Sequence, residues 1–154
     1  MRIAVLANLK QNAPQFPGMS ADQWDDLDSP RTVNAILEAL RSQGHQAEFF
    51  EGNLSLIETL PAYGPDLCFN ICEGHFGDSR ESHVPTLLEM LRLPYTGSRV
   101  LTLALTLDKP MTKRVLAYHD LPTPPFQVFE RPHEPLDPTL AFPLFVKPSR
   151  EGTG

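Results

Sequence analysis

Two lysines stand where helix and strand design alone would not put them. Lys109 opens the segment "KPMTKRVLAYHD" directly after Asp108. A cation in the first turn of a helix opposes the macrodipole, which favours anions there. With an anion at that terminus, the ammonium and the free backbone N–H groups would act together. The placement also fits a solvated lysine paired with Asp108. Lys147 closes "PLFVK" and, on a strand, shares a face with Phe145. A charge there needs a partner or a route to water. "PSREGTG" follows, where Gly152 and Gly154 can turn N–H groups toward a ligand and Ser149 and Thr153 add hydroxyls. Such a loop can cradle phosphate. A hairpin turn with a snorkelling lysine is the alternative.

Acidic chemistry gathers in two other loops. "EGHFGDSRESH" carries Glu73, His75, Asp78, Arg80, Glu81 and His83. It leaves the C-terminal end of an apolar run, where open α/β sheets place ligands. A solvated loop is the plainer reading. The spacing of Cys72, His75 and His83 matches no standard zinc pattern, so no metal site is assigned. Asp25, Asp26 and Asp28, with Trp24, precede a helix. They stabilise its N-terminus, or they bind a substrate ammonium. Glu73, Arg80 and one of these aspartates are expected to line one cleft. There is no P-loop, no dinucleotide fingerprint and no G-x-S-x-G elbow.

The elements that must position these residues alternate. Residues 2–8 read as a buried strand, followed by a polar loop from Leu9 to Asp28. "SPRTVNAILEALRSQGH" is a helix with Ser29 as cap, Pro30 in the first turn and Gly44 at its end. Val33, Ile36, Leu37 and Leu40 form its apolar stripe. Residues 46–51 are a second strand, and Asn53 caps a short helix through Leu60. Residues 66–71 are a third strand, covered on both faces. Strand, helix, strand, helix, strand predicts an α/β fold with a parallel sheet flanked by helices.

Helices follow at "VPTLLEMLRL", "SRVLTLAL" and, capped by Asp108, "KPMTKRVLAYHD", with a turn at "PYTG". Half of the 16 prolines lie between Pro122 and Pro148. Two more strands are expected there, "PFQVFE" and "PLFVK". The boundary falls near Ser98–Asp108, giving a first domain over residues 1–100 and the incomplete start of a second over 101–154.

Composition narrows the partners. The chain has 154 residues, 41% apolar, with a formal charge of −6. That acidic balance argues against nucleic acid or an anionic membrane surface as partner. No stretch is long enough to span a bilayer, and "MRIAVLAN" is too brief for a signal peptide, so a cytoplasmic location is expected. Cys68 and Cys72 would sit roughly 13 Å apart on one strand, too far to bridge.

In order along the chain, "IAVLAN", "DLCFNICEGHFGD", "LLEMLRLPYTGS", "LALTLDKPMTKRVLAYHDLPTPPF" and "PLFVKPSREGTG" resemble the N-terminal half of D-alanine–D-alanine ligases and their ligase-like ATP-grasp relatives. The fold this implies is a Rossmann-like pre-ATP-grasp domain followed by the beginning of an ATP-grasp domain. The resemblance implies that Lys109 and Lys147 contact ATP phosphates. It implies that the loop of Ser149, Gly152, Thr153 and Gly154 closes over them, with Thr153 near the reacting carboxylate. The implied reaction activates a carboxylate as an acyl phosphate, which an amine attacks to form an amide. Glu73 stands where D-alanine ligases have a histidine, and Asp25 or a neighbour stands for their first-loop glutamate. "RESHVP" is closer to the ligase-like branch. The implied substrates are a small-molecule carboxylate and an amine, amino acids by family, with ATP and Mg²⁺ as cofactors and a homodimer as the assembly to expect. The magnesium and adenine contacts are expected beyond Gly154, so residues 1–154 alone are expected to be inactive, with the segment after Pro148 mobile. A non-enzymatic α/β module that binds a ligand or partner is the competing reading.

Overall fold

The computed structural model describes residues 1–152. Three parallel strands form its sheet: β1 (Arg2–Ala7), β2 (Gln46–Glu51) and β3 (Leu67–Asn70), in the order β2-β1-β3. Register runs from Arg2 opposite Gln46 to Ala7 opposite Glu51, and from Ile3 opposite Leu67 to Leu6 opposite Asn70. The strand β1 is central because both of its faces are apolar. Ala4 and Leu6 pack with Leu56, Leu60, Cys68 and Leu88 on one side. Ile3, Val5 and Ala7 pack with Val33, Leu37 and Ala47 on the other. This is the two-residue alternation of a strand covered by helices on both faces.

Local chemistry sets the ends of some helices. In α1 (Pro30–Ser42) the Ser29 hydroxyl accepts from the Thr32 N–H at 3.2 Å, and Gly44 turns away with φ +79°. The next helix, α2 (Leu56–Tyr63), begins later than Asn53 suggests. Asn53 instead accepts from the Ser55 N–H at 2.8 Å, forming a local turn ahead of the helix. Pro61 lies inside α2, which closes one turn later where the Gly64 N–H reaches the Leu60 carbonyl at 2.8 Å. Helices α3 (His83–Met90), α4 (Val100–Leu107) and α5 (Lys109–Tyr118) complete the set. "PYTG" does more than turn. Its Pro94 carbonyl and Thr96 N–H pair with Cys68 at 2.8 and 3.0 Å, placing it beside β3.

The two strands expected at 125–130 and 143–147 do not form. A strand is stable only with a ladder partner, and neither segment pairs with another among the described residues. Phe142, Phe145 and Val146 consequently stand exposed, Val146 at 90%.

A parallel sheet gathers the C-terminal ends of its strands at one edge, and Asn8 ties that edge together. Its buried amide donates to the Gly52 carbonyl at 2.9 Å and accepts from the Gly74 N–H at 2.8 Å. One side chain thus joins the exits of all three strands. Asn8→Ala would leave two buried backbone groups unpaired, an expected loss of about 2 kcal/mol. Chemical denaturation would measure it, and a loss below about 0.5 kcal/mol would contradict this role.

Candidate functional site

The long loop after β1 is closed at its base. Asp28 N–H donates to the Asn8 carbonyl and Lys10 N–H to the Asp28 carbonyl, at 3.0 and 2.9 Å. Trp24, Ala13 and Leu27 form a small buried cluster inside it. The Trp24 indole N–H donates to the Pro14 carbonyl at 3.0 Å. Its ring meets His75 edge-on, centroids 5.5 Å apart, and Phe76 at 5.8 Å. Trp24 therefore docks the first loop onto the loop that leaves β3. That contact is non-local, and its only trace in the sequence is a tryptophan set among aspartates.

The docking brings Asp26, Glu73 and Arg80 together. Arg80 is buried. Its Nη2 donates to Asp26 Oδ2 at 3.2 Å and to Glu151 Oε2 at 2.9 Å, and its Nη1 donates to the Arg150 carbonyl at 2.8 Å. Asp25 lines the same cleft, but its carboxylate pairs with Lys10 at the surface. Asp26, not Asp25, is the aspartate that meets the guanidinium. The cleft encloses about 250 Å³ between Ser20, Asp22, Gln23, Asp25, Asp26, Pro148 and Glu151.

Glu73 lies half-buried behind it. Burial, then the neighbouring Glu81, Asp26 and Asp28, push its carboxyl up to about 7, with Arg80 opposing. Burial also raises Glu81, its neighbour. Because folding raises the Glu73 value above its ordinary 4.5, the associated stability is complete at low pH and is lost as pH rises from about 4.5 through about 7. Glu73→Gln removes the penalised charge. It is expected to be more stable than the wild type at pH 8, with the gap narrowing at pH 4.5. Urea denaturation at both values checks this, and a gap independent of pH would refute it.

Residues 149–152, expected to be mobile, make hydrogen bonds to both sides of the cleft. Lys109 donates through its ammonium to the Glu151 carbonyl and through its backbone N–H to the Ser149 carbonyl. Arg150 bonds Asp108 Oδ2 at 2.9 Å and Asp78 Oδ2 at 3.0 Å. Gly152 lies flush on the acidic wall: a Cβ there would stand 3.1 Å from Asp26 Oδ2 and 3.2 Å from Glu73 Oε2. Thr153 and Gly154 lie outside the described residues. The Lys147 ammonium sits over the Phe145 ring, 5.1 Å from its centroid.

These contacts correct one reading of α5. Its N-terminus offers no open amide pair, because Ser149 takes the Lys109 N–H and Asp108 Oδ1 takes the Met111 N–H at 2.8 Å. The same bond to Met111, then Arg150, holds the Asp108 carboxyl below its usual range. Sequence reading also missed Glu151, the partner of Arg80. Charge alternation in "SREG" is its only local signal.

Known proteins resemble the chain over most of its length. It is 36% identical over 144 residues to a D-alanine–D-alanine ligase of Syntrophotalea carbinolica, covering 94% of this chain and 46% of that protein. It is 44% identical over 126 residues to one from Moorella thermoacetica, covering 82% and 36%. A solved D-alanine–D-alanine ligase from Bacillus anthracis, complexed with ATP, superposes with a TM-score of 0.60 at 25% identity, covering 90% of this chain and 43% of that one. No family model matches the chain. The chain spans about half the length of the curated relatives it matches first. On this span it belongs to the D-alanine–D-alanine ligase-like ATP-grasp family, as a match to the N-terminal half of those enzymes.

Proposed function

We propose that this chain supplies the amino-acid side, and part of the nucleotide phosphate grip, of an ATP-dependent carboxylate–amine ligase. The observation that carries this reading is the convergence at one sheet edge of Asp26, Glu73 and Arg80 with Lys109 and the 149–152 loop. In this proposal residues 1–100 form the substrate-side domain and 101–154 begin the nucleotide side. The protein acts in the cytoplasm. Among the described residues, no helix is long and apolar enough to cross a membrane.

ATP, when bound, supplies the phosphoryl group that turns the carboxylate into an acyl phosphate; the amine then displaces inorganic phosphate and loses a proton. The chain's own residues prepare this. Lys109 would exchange the Glu151 carbonyl for phosphate oxygen, and Lys147 would turn from the Phe145 ring to a second phosphate oxygen. Ser149, Gly152, Thr153 and Gly154 provide hydroxyls and N–H donors around the developing charge. Asp25 and Asp26 hold an ammonium. Glu73, with a proton affinity near neutrality, accepts the amine's proton. Among the described residues no group of His, Cys, Asp or Glu is placed to hold a metal ion. By the family reading, the ligands for an accompanying Mg²⁺ are proposed to lie outside residues 1–154, and residues 1–154 alone to be inactive.

Phosphate release from ATP–Mg²⁺ with pairs of amino acids, measured on the full-length protein, tests the proposal. Release that requires both a carboxylate and an amine is expected. Lys109→Ala and Lys147→Ala should each lower kcat/KM by at least about tenfold, the scale of a lost charge-assisted contact. Binding of amino acids without turnover would mark a non-enzymatic module instead.

A further inference from the structure

The acidic wall and the loop covering it carry the same sign of charge. Asp26, Glu73 and Glu81 belong to the wall, and Glu151 arrives with the loop. Left to themselves these groups would repel the loop. The buried guanidinium of Arg80 reverses that outcome. It bonds Asp26 on the wall and, on the loop, both the Glu151 carboxylate and the Arg150 carbonyl. A planar guanidinium fork presents its donors to these three acceptors in a fixed geometry, which a flexible ammonium does not preorganise.

We propose that Arg80 and Glu151 form a strap that positions the 149–152 loop over the cleft, making Arg80 a positioning residue for the loop that grips phosphate. The loop assignment rests on the ligase reading above; the strap itself does not. Lys109 and Arg150 also hold the same loop, through the Glu151 carbonyl, Asp108 and the exposed Asp78. The strap is the buried tie that holds the loop against the amino-acid wall. One guanidinium thereby links the substrate side of the cleft to the phosphate side. A ligand carboxylate reaching Nη2 would compete with Glu151 and free the loop.

Hydrogen exchange followed by mass spectrometry on the full-length protein tests this. In Arg80→Lys and in Glu151→Gln, amides 149–152 should exchange several-fold faster than in the wild type, while those of β1 remain unchanged. Glu151 is about half exposed, so its substitution leaves the core intact even if the Arg80 variant is unstable. The double variant should exchange no faster than the faster single one. Unchanged exchange in both single variants, or additive effects, would overturn the strap. With ATP–Mg²⁺ as probe, Arg80→Lys should weaken binding several-fold although Arg80 is not expected to touch phosphate. Faster exchange with unaltered ATP binding would overturn the positioning role. If the wild type binds no ATP–Mg²⁺, the ligase reading fails, and the exchange result still judges the strap.

Discussion

Gly74→Ala is expected to destabilise the fold by about 2–5 kcal/mol. The estimate has two parts. Gly74 has φ +74°, a left-handed conformation costing a side-chain-bearing residue about 1–2 kcal/mol. An added Cβ would also stand 2.6 Å from the Arg80 carbonyl oxygen and 2.9 Å from its carbon. Those are backbone atoms and cannot rotate aside, so the loop must shift, at about 1–3 kcal/mol for overpacking. Gly97 provides the control. It has φ +97°, but an added Cβ meets nothing within 4 Å. Gly97→Ala should show the conformational part alone. Urea midpoints of the two variants decide the matter. If Gly74→Ala costs no more than Gly97→Ala, the close packing of the loop on itself is wrong.

Arg80→Met is expected to cost a similar amount, about 3–5 kcal/mol, for a different reason. Arg80 and Asp26 are both more than nine-tenths buried as side chains. Removing the cation leaves the Asp26 carboxylate desolvated among Glu73 and Glu81, while the exposed Glu151 can return to water. Most of the loss should therefore be the stranded charge rather than the missing bond. Asp26→Asn in the Arg80→Met background should recover part of it, a coupling that a double-mutant cycle reads directly. Strictly additive losses would show that the two groups do not face each other. Given total stabilities of about 5–15 kcal/mol for single domains, either substitution removes a large fraction of the margin.

Sequence alone determined the parts that depend on neighbours in the chain. Alternating apolar runs over residues 2–8, 46–51 and 66–71 specified three parallel strands because buried strands have a period of two and a limited length. Ser29, Pro30 and Gly44 marked α1, and Asp108 marked α5, because caps act within three residues of the end they close. The family resemblance was also legible there, from motifs in the family's order. Tertiary structure alone decided the rest. It selected Asp26 over Asp25, since that choice depends on which carboxylate meets a guanidinium 54 positions away. It paired Arg80 with Glu151, 71 positions apart. It also left residues 125–130 and 143–147 outside the sheet, although their strand propensity is high. Propensity describes what a segment does when a partner is present, whereas ladders and ion pairs require two segments to meet, and only the packing of the whole chain determines which segments do.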